Sequence, residues 1–174
     1  MQRPISRRSF IYSSTGSLAV ASLAGVALAQ EQYPATQPQK AARKDKGPPI
    51  APELVREFVG AGHAKLDRCK EMLEQYPTIA NACWDWGGGD YETALGGASH
   101  MGRADIANFL IEKGARVDVF AAAMLGRLDI VKAACSAFPN TREVPGPHGI
   151  TLIEHARKGG EPARAVLEYL ESLG

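Results

Sequence analysis

The chain carries almost no net charge: 20 basic against 19 acidic side chains over 174 residues leave +1. No bulk charge draws it to nucleic acid, and with 45% hydrophobic residues it is not an acidic or basic disordered chain. Cysteine is scarce and odd in number, so Cys69, Cys83 and Cys135 cannot all pair within one chain. Sustained apolar–polar alternation is rare, which excludes a β-rich domain. Catalytic motifs are missing too. Gly87-Gly88-Gly89 follows no strand and precedes no Gly-Lys-Ser or Gly-Lys-Thr, so it is no phosphate cradle. Gly97 to Gly102 lacks the glycine spacing of a nucleophile elbow, and Ser99 falls at a small packing position. His63, His100, His148 and His155 lack the spacing of a zinc site, and no Cys-x-x-Cys exists. The sequence therefore names no catalytic residue, no cofactor and no metal ligand.

The neutral total hides three unlike parts. Residues 1–29 hold Arg3, Arg7 and Arg8 and no acid; residues 30–52 hold a net +2; residues 53–174, with 13 basic and 17 acidic side chains, hold −4. In the first part Ser6-Arg7-Arg8-Ser9-Phe10-Ile11 resembles the bacterial twin-arginine signal motif. A weakly apolar run from Leu18 to Leu28 follows, and Ala27-Leu28-Ala29 fits the small-residue rule for cleavage before Gln30. That run is too short and too weakly apolar for a spanning helix. The resemblance implies a periplasmic or secreted protein, exported already folded, with no stable membrane insertion after cleavage. The alternative is an uncleaved anchor in the inner membrane. A fold completed in reducing cytosol needs no disulfide, so Cys69 and Cys135 read as small buried hydrophobes.

Residues 30–52 hold five of the eleven prolines and the cluster Lys40, Arg43, Lys44 and Lys46, the composition of a flexible linker. Residues 53–174 carry short helix-period segments broken by glycine, and short helices must lean on neighbours. Thr93 to Asp118 resembles the ankyrin repeat, with Thr93, Leu95, Ala98, Gly102, Ile106, Leu110, Gly114, Ala115, Val117 and Asp118 at the family's positions. Further copies bring the repeats to about 53–82, 91–118, 119–140 and 147–174. Their turn positions fall at Ala64, Gly102, Gly126 and Gly160, spaced by 38, 24 and 34 residues. The resemblance implies an all-α, ankyrin-like α-solenoid of about four repeats. The short middle interval leaves one hairpin finger truncated, because Asp118 runs almost directly into the next helix.

One constellation stands out. Trp84-Asp85-Trp86-Gly87-Gly88-Gly89-Asp90-Tyr91-Glu92 gathers both tryptophans, a tyrosine and three carboxylates in the long first interval. Trp and Tyr concentrate binding energy at interfaces. The resemblance implies that this stretch projects as a finger beside a partner-binding face. The expected partner-binding residues are therefore Trp84, Asp85, Trp86, Asp90 and Tyr91, flanked by His100, Met101 and Arg103, with His148 from the loop 145–149. The leading expectation is a monomeric protein–protein interaction module, not an enzyme, with an unidentified protein partner. The alternative is a small-molecule binder or enzyme using a cleft between the Trp84–Asp90 and Pro145–Gly149 loops. It requires Asp85 or Asp90 to lie near His100 or His148.

Overall fold

A computed structural model of the chain describes residues 47–174. Residues 1–46, including Arg7, Arg8, the Ala29–Gln30 junction and most of the linker, lie outside the described residues. The described part is all-α, 66% helix and 5% strand. Among the described residues no helix is long and apolar enough to cross a membrane.

Eight helices follow one another in pairs. The first pair is α1 (Pro52–Gly62) with α2 (Leu66–Gln75), and the second is α3 (Ala94–His100) with α4 (Ala104–Glu112). The third is α5 (Val119–Met124) with α6 (Leu128–Ala137), and the fourth is α7 (Leu152–Lys158) with α8 (Arg164–Ser172). Pro52 is the first helical residue rather than the last of the linker; its fixed φ suits a first turn whose N–H groups have no helical partner anyway. The later first members of the pairs, α3, α5 and α7, start on side-chain caps. Thr93 Oγ1 accepts from Gly96 N–H at 3.0 Å and Asp118 Oδ1 from Ala121 N–H at 2.8 Å. Thr151 and Glu154 form a reciprocal capping box.

The first members, α1, α3, α5 and α7, pack side by side in chain order, and each second member packs on its own partner. Composition explains the layer. All of α3 is buried, as are Ala121, Ala122, Ala123 and Met124 of α5, so small side chains bring backbones close. The second helices bury a stripe each: Cys69, Met72 and Leu73 in α2, Ile106, Ala107 and Leu110 in α4, Val166 and Leu170 in α8. The apolar interior forms two clusters, one around Phe58, Leu95 and Leu110, the other around Val131, Leu152 and Val166.

All three cysteines are free thiols, with Cys69 and Cys135 buried and Cys83 exposed. Burial pushes the Cys69 thiol up to about 11, which leaves it protonated and unreactive at neutral pH. Ser99 is also buried, its hydroxyl donating to Leu95 O at 2.6 Å.

His155 gives the second cluster an acid liability. It is fully buried against Phe120, with Nδ1–H donating to Thr151 O at 2.9 Å and no hydrogen-bond partner at Nε2. Burial lowers its pKa. The unfolded chain therefore takes up this proton near pH 6.5 while the folded chain holds off until lower pH. Acidification below that value favours unfolding, and stability is recovered as pH rises back through it. His155→Leu should flatten the loss of stability between pH 7 and 5, read from urea midpoints; an unchanged pH slope would remove His155 from this role.

Candidate functional site

The site lies where the end of α1, a β-hairpin and the turn before α7 meet. Strand β1 (Cys83–Asp85) pairs antiparallel with β2 (Tyr91–Thr93), Trp84 opposite Glu92 and Asp85 opposite Tyr91. Between them Gly87, Gly88 and Gly89 all take positive φ, a path that side chains with a Cβ disfavour. Asp85 Oδ1 accepts from the N–H groups of Gly87 and Gly89 at 2.8 and 3.1 Å. Side chains alternate across a strand, so the paired Trp84 and Glu92 share one face while Asp85 and Tyr91 share the other.

Glu92, 1% exposed, is the centre. Its Oε2 accepts from Trp86 Nε1–H at 2.7 Å, and His63 Nε2 and His148 Nε2 lie 3.5 and 3.4 Å from the same oxygen. His100 Nδ1 is 3.1 Å from Oε1. That last contact has the distance of an ion pair without hydrogen-bond alignment, so Oε1 and His100 Nδ1 are buried with no hydrogen-bond partner. The imidazoles form a triangle, with ring centres 4.8 Å apart for His63 and His100, 5.3 Å for His100 and His148, and 6.4 Å for His63 and His148.

Each ring is held from outside. His63 Nδ1–H donates to Val59 O at 3.2 Å, one helical turn back. His148 stands at φ 59°, among the described residues the one non-glycine with positive φ. Asp90 holds it there, accepting from its backbone N–H at 2.8 Å and from Nδ1–H at 2.7 Å. That backbone bond, chiefly, keeps the Asp90 carboxyl below its ordinary range. At Glu92 burial works against ionisation, but the His100 contact, the Trp86 hydrogen bond and the nearby imidazoles outweigh it, and the net shift is downward.

Glycines make the space. A Cβ on Gly62 would lie 2.3 Å from Ala94 O, and a Cβ on Gly97 2.8 Å from His63 Nδ1. The Gly97 neighbour is a movable ring rather than backbone, so Gly97→Ala should fold with unchanged helical circular dichroism and turn His63 out of the cluster. The His63 imidazole resonances report this directly; if they do not move, Gly97 is not what seats the ring.

The structure brings together four of the residues expected from sequence, Trp86, Asp90, His100 and His148. The side chains of the others make no hydrogen bond or ion pair with the charged centre. Asp85 holds the glycine turn, Trp84 is half-buried, and Tyr91 and Met101 are exposed at 63% and 48%. Arg103 binds Asp105 through two hydrogen bonds and donates to Ala64 O, bracing the turn between α1 and α2. Two central residues, His63 and Glu92, are not among the site residues expected from sequence. The sequence named no metal ligand, yet one ligand atom from each of His63, Glu92, His100 and His148 lies within 4.8 Å of all the others, a set that could hold a metal ion. Spacing along the chain did not show it because these side chains come from two helix pairs, a hairpin and the turn before α7.

Among the described residues, the fold and site define an all-α protein of paired helices with a buried carboxylate ringed by three histidines. Compared with known proteins, the chain matches no family model, and no curated sequence matches it.

Proposed function

We propose that this chain is an exported, ankyrin-like solenoid that binds a small ligand in the cleft between its hairpin and the turn at Pro147–Gly149. Four helix pairs support the solenoid reading, as do glycines with positive φ at the turn positions Gly102, Gly126 and Gly160, at 70°, 72° and 64°. The twin-arginine-like segment supports export to the periplasm or beyond. The observation that carries the ligand reading is the convergence of His63, Glu92, His100 and His148, whose potential ligand atoms lie within 4.8 Å of one another, with Glu92 Oε1 and His100 Nδ1 buried and facing only each other at 3.1 Å without hydrogen-bond alignment. Buried polar atoms without partners are costly, and a bound ligand would satisfy them. A surface for a protein partner has no need of them. The Asp90–His148 contact joins the hairpin to the turn at Pro147–Gly149 across 58 residues of chain.

The protein-partner reading keeps one observation in its favour, the exposure of Tyr91 and Met101 beside the cleft. Native mass spectrometry separates the two. The mature chain, isolated without chelators from the host that exports it, should carry an added mass that the Glu92→Gln variant lacks. A bare wild-type mass, together with proteins captured by wild type and lost on Trp86→Ala, would overturn the small-ligand reading.

A further inference from the structure

Resting on that cleft reading, we infer that the ligand is one divalent transition-metal ion of the zinc class, held by His63 Nε2, His100 Nδ1, His148 Nε2 and Glu92. The first argument is geometric. Ligand atoms about 2.0–2.1 Å from a tetrahedral ion are separated by about 3.3 Å from one another. The nitrogens of His63 and His148 lie 3.5 and 3.4 Å from Glu92 Oε2 and that of His100 lies 3.1 Å from Oε1, and one ligand atom from each of the four residues lies within 4.8 Å of the others, so the set converges on a space that a small side-chain contraction brings to that edge length.

The second argument is chemical. His63 and His148 each spend Nδ1–H outward, on Val59 O and Asp90 Oδ2. In the neutral ring that leaves a lone pair at Nε2, and both lone pairs then face the same carboxylate oxygen. Acceptor against acceptor is repulsive unless each ring carries a second proton or a metal cation stands between them. A metal ion resolves the conflict at both rings and gives the buried Glu92 Oε1 and His100 Nδ1 a partner. The outward bonds are the outer-shell contacts that fix a ligating histidine's tautomer, one of them to a carboxylate, and Trp86 steadies Glu92 in the same way.

The third argument is donor type. Three imidazoles with one carboxylate suit zinc, copper, nickel or iron, whereas calcium and magnesium favour all-oxygen sets. Entry is open, because the side chains of His63 and His148 are 26% and 33% exposed.

The test uses the folded mature chain, dialysed against a chelator and then titrated calorimetrically with Zn2+ alone; Co2+ absorption gives the geometry in parallel. One ion per chain is expected. His148→Ala changes a surface turn and spares the helices, so circular dichroism should show it folded. It should bind at least about 100-fold more weakly, since losing only an outer-shell partner costs about 10- to 100-fold. Glu92→Gln should lose binding to a similar degree, and Asp90→Asn should weaken it by about 10-fold. His155→Leu, a histidine outside the cluster, should bind as wild type does. Absence of stoichiometric uptake by wild type overturns the inference, as does wild-type affinity in folded His148→Ala; the rings would then be imidazolium partners of Glu92. An organic adduct in the native mass spectrum without metal uptake overturns the metal and leaves the cleft reading standing. A bare mass without metal uptake overturns both.

Discussion

Glu92→Ala should destabilise the metal-free chain by about 3 kcal/mol, the range for removing one member of a buried charged network. The carboxylate is almost wholly enclosed and faces three imidazoles and an indole N–H. Its removal strands Trp86 Nε1 and opens a void among rings that have no other inward partner. Glu92→Gln is the informative companion. The amide oxygen can still accept from Trp86, and its NH2 can donate to an imidazole lone pair, so the loss should stay near 1 kcal/mol or less. Urea denaturation with the chelator-dialysed protein gives both values. Equal losses for Ala and Gln would mean that Glu92 acts by its charge alone. A negligible loss for Ala would mean that the cluster does not support the fold.

Gly126→Ala should cost about 3 kcal/mol, combining the strain of a left-handed alanine with forced repacking. Gly126 sits at φ 72°, and a Cβ there would lie 2.1 Å from Pro162 O, a backbone atom with little freedom to retreat. Gly114 gives the contrast, because it has φ 91° but nothing within 4 Å of an added Cβ. Gly114→Ala should therefore cost only the conformational share, about 1 kcal/mol. The difference between the two midpoints measures how tightly the third helix pair is pressed onto the fourth. Similar losses at both positions would remove close approach as a reason for glycine at 126.

These two residues also mark what could be read from the chain alone. Gly126 was legible, since a glycine after a short apolar helix signals a left-handed turn, and three of the four turn positions expected from sequence are such glycines. The exception, Ala64, makes its turn without positive φ, where Lys65 N–H reaches back to Ala61 O at 2.8 Å. Helix ends, the stripes of α2 and α4, and the absence of a hairpin before Phe120 follow from local pattern for the same reason: each is set by neighbours within a few residues.

Glu92 was not legible as a centre. It lies 29 residues after His63, 8 before His100 and 56 before His148, intervals that match no motif. Only the stacking of helix pairs brings them together. One signal was present. Two-residue alternation through Trp84, Trp86, Asp90 and Glu92 places these four on a common face of a hairpin whose register sets Trp84 opposite Glu92, as here. What they would meet there depended on Gly97 leaving room for His63, and on Asp90 holding His148 in a backbone conformation that histidine rarely adopts.

The Asp90–His148 contact has a consequence for truncated chains. A chain stopped before Pro147 contains three helix pairs, the hairpin, Glu92 and two of the three imidazoles, yet it lacks the third ring and the latch that seats it. A chain cut before Pro147 therefore cannot complete the cluster, because the latch ties the hairpin to the fourth helix pair across 58 residues of chain.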